Sequence, residues 1–355
     1  MIFLGIDTSC DDTSIAVLRD RQVLANIISS QDDTHKEYGG VVPILAKREH
    51  EKNFPIVLDN ALHTAGVTPA EIDHIAVTIG PGLAPSLEVG VEQAQRLAAE
   101  WKKPLEPIHH MEGHLLSALA TDNTGNGGPD PDTVTFPALG ILASGGHTEM
   151  VLIRAWGKYE IIGETVDDAL GEAYDKVARM LGLGFPGGGK LAGLAEQGNP
   201  NQYDLPIAMR QSGDYNVSYS GIKTATLRLV RELTNNGQKE LTPVEMQDVA
   251  ASFQRAALQT LLQKVKKVLA SEPVKHVFLG GGVAANQVLR AELQILLQDH
   301  QAELFWPYSL RLCQDNGAMI ALAAYFHKYY GYQLDFEKID RRPQWRLDAF
   351  SQTLK

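Results

Sequence analysis

The chain has 355 residues, 44% hydrophobic and 21% charged, too many for one small core, so two domains are expected. Its net charge of −11 excludes a protein that is cationic overall, so a nucleic-acid partner would need a local basic patch or a companion protein to supply positive charge. Two cysteines, Cys10 and Cys313, exclude a disulfide framework and a thiolate cluster; with no leader-like start and no apolar run of bilayer length, the expected location is cytoplasmic, with no membrane contact.

Three short strands are predicted first, over Ile2–Ile6, Ser14–Leu18 and Val23–Ile28. A helix follows over Pro43–His63, then a strand over Ile72–Thr78 running into Gly80-Pro81-Gly82, then a helix over Ser86–Lys102. Strands alternating with helices predict an α/β fold with parallel pairing. Thr121–Thr135, rich in Gly, Asn, Asp and Pro, reads as a surface loop, and the domain boundary is placed there: one lobe at 1–130, a second at 131–330 and a tail at 331–355. Beyond the loop the pattern restarts. Gly5, Ile6, Ser9, Thr13 and Arg19 recur as Gly140, Ile141, Ser144, Thr148 and Arg154, all at one offset of 135 positions. A strand at Tyr159–Gly163, a helix at Asp167–Leu181 and a strand at Val274–Leu279 running into Gly280-Gly281-Gly282 repeat the order of the first half. The long helix at Pro243–Leu269 carries Lys264, Lys266 and Lys267, read as a solvated face.

Two tandem α/β halves predict a duplicated actin-like ATPase or sugar-kinase fold, two lobes with a nucleotide in the cleft between them. In that architecture the turn between the first two strands of each half grips phosphates, because glycines and short polar residues let backbone N–H groups approach phosphate oxygens. The turns here are Thr8–Thr13 and Ser144–Thr148. Asp11 and Asp12 in the first would repel phosphate, so they need a cation or a proton-transfer role, unless both turns are simply hairpin turns.

His110-Met111-Glu112-Gly113-His114 is the most chemical pentapeptide of the chain. On a helix, His110 and His114 share a face and can ligate one metal. The zinc-protease pattern H-E-x-x-H differs, because its Glu follows the first His directly. Glu112 lies roughly 200° round the helix from His110, faces away and suits a supporting contact. A carboxylate is the usual third ligand. Asp315, in Cys313-Gln314-Asp315-Asn316-Gly317 before a helix at Ala318–Tyr329, is the best local candidate, although the residues alone favour reading it as an N-cap.

Further segments complete a resemblance: Gly5–Thr13, Ser29-Ser30-Gln31, Tyr38–Pro43, Gly80–Leu83, His110–His114, Ser144–Thr148, Asp167-Asp168-Ala169, Gly171–Lys176, Pro186-Gly187-Gly188, Ser218–Thr224, Gly281–Asn286 and Asp315-Asn316. In this order they resemble the TsaD family. The resemblance implies the duplicated actin-like fold and an acyltransferase. Such an enzyme moves the threonylcarbamoyl group of threonylcarbamoyl-AMP to N6 of the adenosine 3′ of the anticodon, in tRNAs reading codons that begin with A. It implies one divalent metal, iron (Fe2+) or zinc (Zn2+), on His110, His114 and Asp315, which turns Asp315 from cap to ligand. It implies an ATP- or AMP-type nucleotide contacted by Leu142, Ala143, Ser144, Gly145, Gly146, Asp175, Gly188 and Asn286. It also implies companions, TsaB and TsaE homologues, and a separate synthase for the adenylate. Asp11 or Asp12 is then the candidate general base. The chain departs from the family pattern at Ile44, Pro85, Gly189 and Ala192, and by the shorter acids Asp7 and Asp12. Lys47, Arg48, Arg341, Arg342 and Arg346 are the candidate tRNA contacts, and the chain alone is expected to bind tRNA weakly. The competing readings are a kinase or ATPase on the same fold, a metalloprotease, and a scaffold that binds nucleotide without catalysis.

Overall fold

Apolar, β-branched runs build two sheets. β1 (Ile2–Asp7), β2 (Thr13–Arg19) and β3 (Gln22–Ser29) form an antiparallel meander, and β4 (His74–Gly80) and β5 (Leu105–His109) extend it parallel to β1, in the order β3-β2-β1-β4-β5. β6 (Ala138–Ala143), β7 (Thr148–Ala155), β8 (Lys158–Glu164), β9 (His276–Gly280) and β10 (Glu303–Phe305) repeat that order as β8-β7-β6-β9-β10. The computed structural model describes residues 1–332, 334 and 339–353; of the tail expected at 331–355, residues 333, 335–338, 354 and 355 lie outside the described residues. Among the described residues no helix is long and apolar enough to cross a membrane.

The repeat extends to strand register. Phe3 pairs with Leu18 and Gly5 with Ala16 in the first hairpin; Ala138 pairs with Ile153 and Gly140 with Val151 in the second, each partner displaced by the same 135 positions. Gly5 and Gly140 recur for a common reason, since each lets a helix pass close over the middle of its strand. A Cβ on Gly5 would collide with the backbone of Gly317 and Ala321, and one on Gly140 with Leu115.

α1 (Asp32–Lys36) leads to α2 (Pro43–Ala65), which begins on proline and stops at Gly66 in the left-handed region. α2 and α3 (Ala84–Trp101) pack on the first sheet and on each other. α4 (His110–Leu116) follows β5 directly and touches both sheets. α5 (Leu170–Met180), α6 (Gly188–Ala195), α7 (Ser220–Leu233) and α8 (Pro243–Ser271) cluster in the second half, and α9 (Gln287–Gln298) packs beside α8 and β10. α8 starts with a capping box, Thr242 and Glu245 bonding each other's backbone N–H, behind a proline at its first turn. α10 (Gly317–Tyr329) returns to the first sheet, packing on β1, β2 and β4, although its sequence position placed it in the lobe at 131–330.

Three local expectations change. The helix predicted from Asp167 begins at Leu170, because the Asp167 carboxylate accepts the backbone N–H groups of Tyr219 and Ser220 at the start of α7 instead. Lys264 is not on a solvated face. It is buried, and its ammonium donates to the carbonyl of Asp214 at 3.0 Å, beside a similar Lys267 contact at 3.2 Å, so this part of α8 anchors the loop at 212–214. The C-terminal segment is a strap: Arg342 N donates to Ile79 O, Gly82 N to Pro343 O, and α11 (Leu347–Ser351) packs on β8.

Candidate metal centre and nucleotide cleft

The helix carrying the histidine pair starts at a histidine cap. His109 Nδ1 accepts the Met111 N–H at 3.2 Å while its Nε2 donates to Trp345 O at 3.1 Å, and burial pushes this imidazole down to about 3, so it is neutral. One turn of α4 then stacks His110 and His114 edge to face, ring centroids 4.7 Å apart. Their Nε2 atoms lie 3.5 Å and 3.1 Å from a single oxygen, Asp315 Oδ1. Asp315 is not the cap of α10. Its neighbour Asn316 takes that task, accepting from Met319 N at 3.1 Å, which leaves the Asp315 carboxylate free to face the imidazoles.

Donor atoms about 2.1 Å from a metal, at angles of about 90–110°, sit roughly 3.0–3.4 Å from one another. The two spacings to Asp315 Oδ1 are close to that range, and the three candidate donor atoms all lie within 4.8 Å of one another. The site also demands a cation. Burial works against a charged His110, but Asp315 and then Asp7 outweigh it and lift this imidazole to about 10. Burial likewise opposes the Asp315 carboxylate, and His110 and His114 nevertheless hold it well below the usual range. Two imidazoles and a carboxylate at this spacing fit a divalent transition metal.

Glu112 faces the other way. It accepts from Tyr159 OH on β8 and pairs with His327 of α10, each at 2.8 Å, tying the ligand helix to both halves of the molecule. Sequence reasoning missed Tyr159, His327 and Asp7, since nothing local marks contacts across more than forty positions.

The first hairpin turn is pinned from outside. Leu83 N donates to Ser9 O at 2.7 Å, Thr8 Oγ1 to Ser86 O at 2.9 Å, and His50 bonds Thr13 Oγ1 and Cys10 O at 2.8 Å and 3.0 Å. Asp11 and Asp12 are half-buried there, and one Asp12 oxygen has no hydrogen-bond partner. Burial, then Asp315 and Asp11, raise the Asp12 carboxyl to about 8. The second turn is closed by Ser144 N to His147 O at 2.8 Å and His147 N to Ser144 Oγ at 3.1 Å. Gly145 and Gly146 stand exposed with open space around them. Burial, then His110 and His114, depress the His147 imidazole to about 4, which places this turn beside the histidine pair.

Gly145 of that turn also lines a cavity of about 370 Å³. Gly145, Asp175, Gly188 and Asn286 line it, together with Ala192. Asp175 Oδ1 accepts from Gly187 N at 2.9 Å and Gly188 N at 2.8 Å, while Asn286 caps α9 and donates to Gln254. Leu142 and Ala143 are buried within β6 and do not line it; Ser144 and Gly146 belong to the turn. The candidate tRNA residues are largely neutralised: Lys47 and Arg341 both pair with Glu88, Arg346 pairs with Glu164 and Asp348, and Arg342 lies over the Trp345 ring, while Arg48 is exposed.

Comparison with known proteins follows the same lines. The family model for tRNA N6-adenosine threonylcarbamoyltransferase matches residues 22–322. Proteins of that name from Thermomicrobium roseum (44% identical, 95% of this chain and 94% of the relative), Bordetella pertussis (46%, 91% and 91%) and Bacillus subtilis (42%, 91% and 89%) align along nearly the whole chain. Among solved structures, nucleotide-bound HypF superposes with a TM-score of 0.55 at 14% identity, covering 92% of this chain and 55% of HypF. The ADPNP-bound activator of 2-hydroxyisocaproyl-CoA dehydratase from Clostridium difficile gives 0.52 at 12%, covering 93% and 96%. Those likenesses establish the duplicated actin-like fold; the sequence relatives go further, and the chain belongs to the TsaD family of tRNA N6-adenosine threonylcarbamoyltransferases.

Proposed function

We infer that the chain transfers the threonylcarbamoyl group of threonylcarbamoyl-AMP to N6 of the adenosine 3′ of the anticodon in tRNAs reading codons that begin with A. The observation that carries this reading is the convergence of His110, His114 and Asp315, together with a glycine turn that lines a nucleotide-sized cavity.

The donor is a mixed anhydride. In transfer, N6 attacks its carbonyl carbon, the bond from that carbon to the phosphate oxygen breaks, AMP leaves with the electron pair, and N6 loses a proton. Gly145 and Gly146 offer unobstructed backbone to the phosphate, while Asp175, Gly188 and Asn286 hold the nucleoside. Asp12 takes the proton: it is a half-buried turn carboxyl, one oxygen of which has no hydrogen-bond partner, and Asp11 is the second candidate. His110, His114 and Asp315 would hold one divalent metal, iron or zinc, which when bound would supply Lewis-acid chemistry. The imidazole pair is what separates this reading from a kinase on the same fold, and the outward-facing Glu112 separates it from a metalloprotease. Because three of its five candidate tRNA residues, Lys47, Arg341 and Arg346, are paired with acids, the chain acts on tRNA together with TsaB and TsaE homologues, and a separate synthase supplies the adenylate.

The test supplies the purified chain and its companion proteins with threonylcarbamoyl-AMP and unmodified tRNA, then analyses the digested nucleosides by mass spectrometry. Threonylcarbamoyladenosine at the position 3′ of the anticodon is expected. Its absence, with the donor intact and the tRNA bound, would overturn the assignment.

A further inference from the structure

His110 has two ring nitrogens, and only Nε2 faces Asp315 and His114. The other, Nδ1, is buried and has no hydrogen-bond partner within ordinary limits. The charged atom facing it is Asp7 Oδ1, 3.4 Å away on the last residue of β1. Asp7 is completely buried, which is costly for a carboxylate unless other groups satisfy it. They do. Thr78 Oγ1 on β4 donates to Oδ1 at 2.5 Å and Ser9 Oγ to Oδ2 at 3.1 Å. Neither hydroxyl carries charge, so the carboxylate remains available to a cation or to an N–H group. At the equivalent position of the second hairpin stands Leu142, so the acid is not required by the duplicated scaffold.

We propose that Asp7 is a positioning residue of the metal centre: it accepts the Nδ1 proton of His110 and so fixes the tautomer and ring orientation in which Nε2 is the metal ligand. A metal-bound imidazole needs its binding nitrogen deprotonated, and the hydrogen bond made by the other nitrogen decides which one that is. Burial inside β1, and two hydroxyl donors from neighbouring chain segments, keep the Asp7 carboxylate from rotating away. The inference rests on the reading of His110, His114 and Asp315 as metal ligands, and the experiment separates the two.

Zinc ion alone is titrated into the metal-free full-length chain against a chromophoric chelator, for the unaltered protein, H114A and D7N. Stoichiometric binding by the unaltered chain and loss in H114A test the ligand set; one zinc bound as tightly by H114A would sink that reading and this inference with it. Given an intact ligand set, D7N should bind zinc about 10- to 100-fold more weakly, the usual penalty for removing such a supporting carboxylate. Equal affinity in D7N overturns the proposal. Should D7N not fold, long-range ¹H–¹⁵N spectra of the zinc-loaded unaltered chain decide it. His110 protonated on Nδ1 with zinc on Nε2 supports the role of Asp7, and zinc on Nδ1 refutes it. Neither readout depends on catalytic turnover.

Discussion

The two hairpins that open the two halves have the same register and opposite chemistry. In the first, Asp7 pairs with Ser14, and the turn beyond it holds Cys10, Asp11 and Asp12. In the second, Leu142 pairs with Glu149, and the turn is Ser144-Gly145-Gly146-His147. Each copy thus places one acid in the same rung, but on opposite strands. Asp7 is satisfied by two hydroxyls and faces His110, whereas one oxygen of Glu149 has no partner. The shared backbone decides where functional groups stand across the cleft. The few residues at each turn decide that one turn carries acids and the other exposed glycines with open space around them.

The sharpest way to break this contrast is to remove its cation. Asp315→Ala should abolish metal binding and lower threonylcarbamoyl transfer on the order of a thousandfold, read by metal analysis and by nucleoside mass spectrometry. A metal-replete, active variant would mean that the acidic side serves another purpose. Asp12→Asn should slow transfer by about a hundredfold or more while leaving AMP affinity intact, as measured by calorimetry and single-turnover rates; normal turnover would remove Asp12 as the base.

Glu149 offers a test on the other copy. Burial, then Glu164, raise its carboxyl to about 7 from an ordinary 4.5. Between those values the folded chain keeps a proton that the unfolded chain releases, so stability falls as pH rises through the window and stays lowered above it. Glu149→Gln should therefore be more stable than the unaltered chain at pH 8, by up to about 3 kcal/mol, with the difference vanishing below about pH 4.5. Parallel denaturation curves at both ends would clear Glu149 of this role. The smallest effect is expected at the glycine turn. Gly146→Ala has open space around the new methyl, so folding should change by less than about 0.5 kcal/mol. AMP affinity should nonetheless fall roughly tenfold if backbone meets phosphate there; unchanged affinity would mean that this turn does not grip the nucleotide.

The duplication was legible because its constraint is local: a glycine is needed wherever a helix crosses the first strand, and Gly5 and Gly140 record that need at one fixed offset. The histidine pair was legible for a similar reason, helical spacing alone putting two imidazoles on one face. Asp315 reads from its residues alone as a helix cap, but in the structure the side chain of Asn316, itself a good cap former, caps the helix instead. Lys264 misled because a lysine run on a long helix normally faces water, and only a loop fifty positions earlier in the chain reveals its carbonyl partner. Glu112 could be read as facing away from the pair, but its partners Tyr159 and His327 are supplied by tertiary packing, which no local spacing encodes.

The return of α10 to the first sheet sets an order of events during synthesis. Gly317 N bonds Ser14 Oγ across 303 positions, and Asp315 arrives on the same stretch of chain. The first sheet is translated well before α10 and lacks this covering helix until residues 317–329 have left the ribosome. Its apolar surface is meanwhile open to chaperones or to wrong partners. The cluster of His110, His114 and Asp315 consequently cannot assemble before residue 315 emerges, so a ribosome that stalls earlier releases a chain lacking its third member.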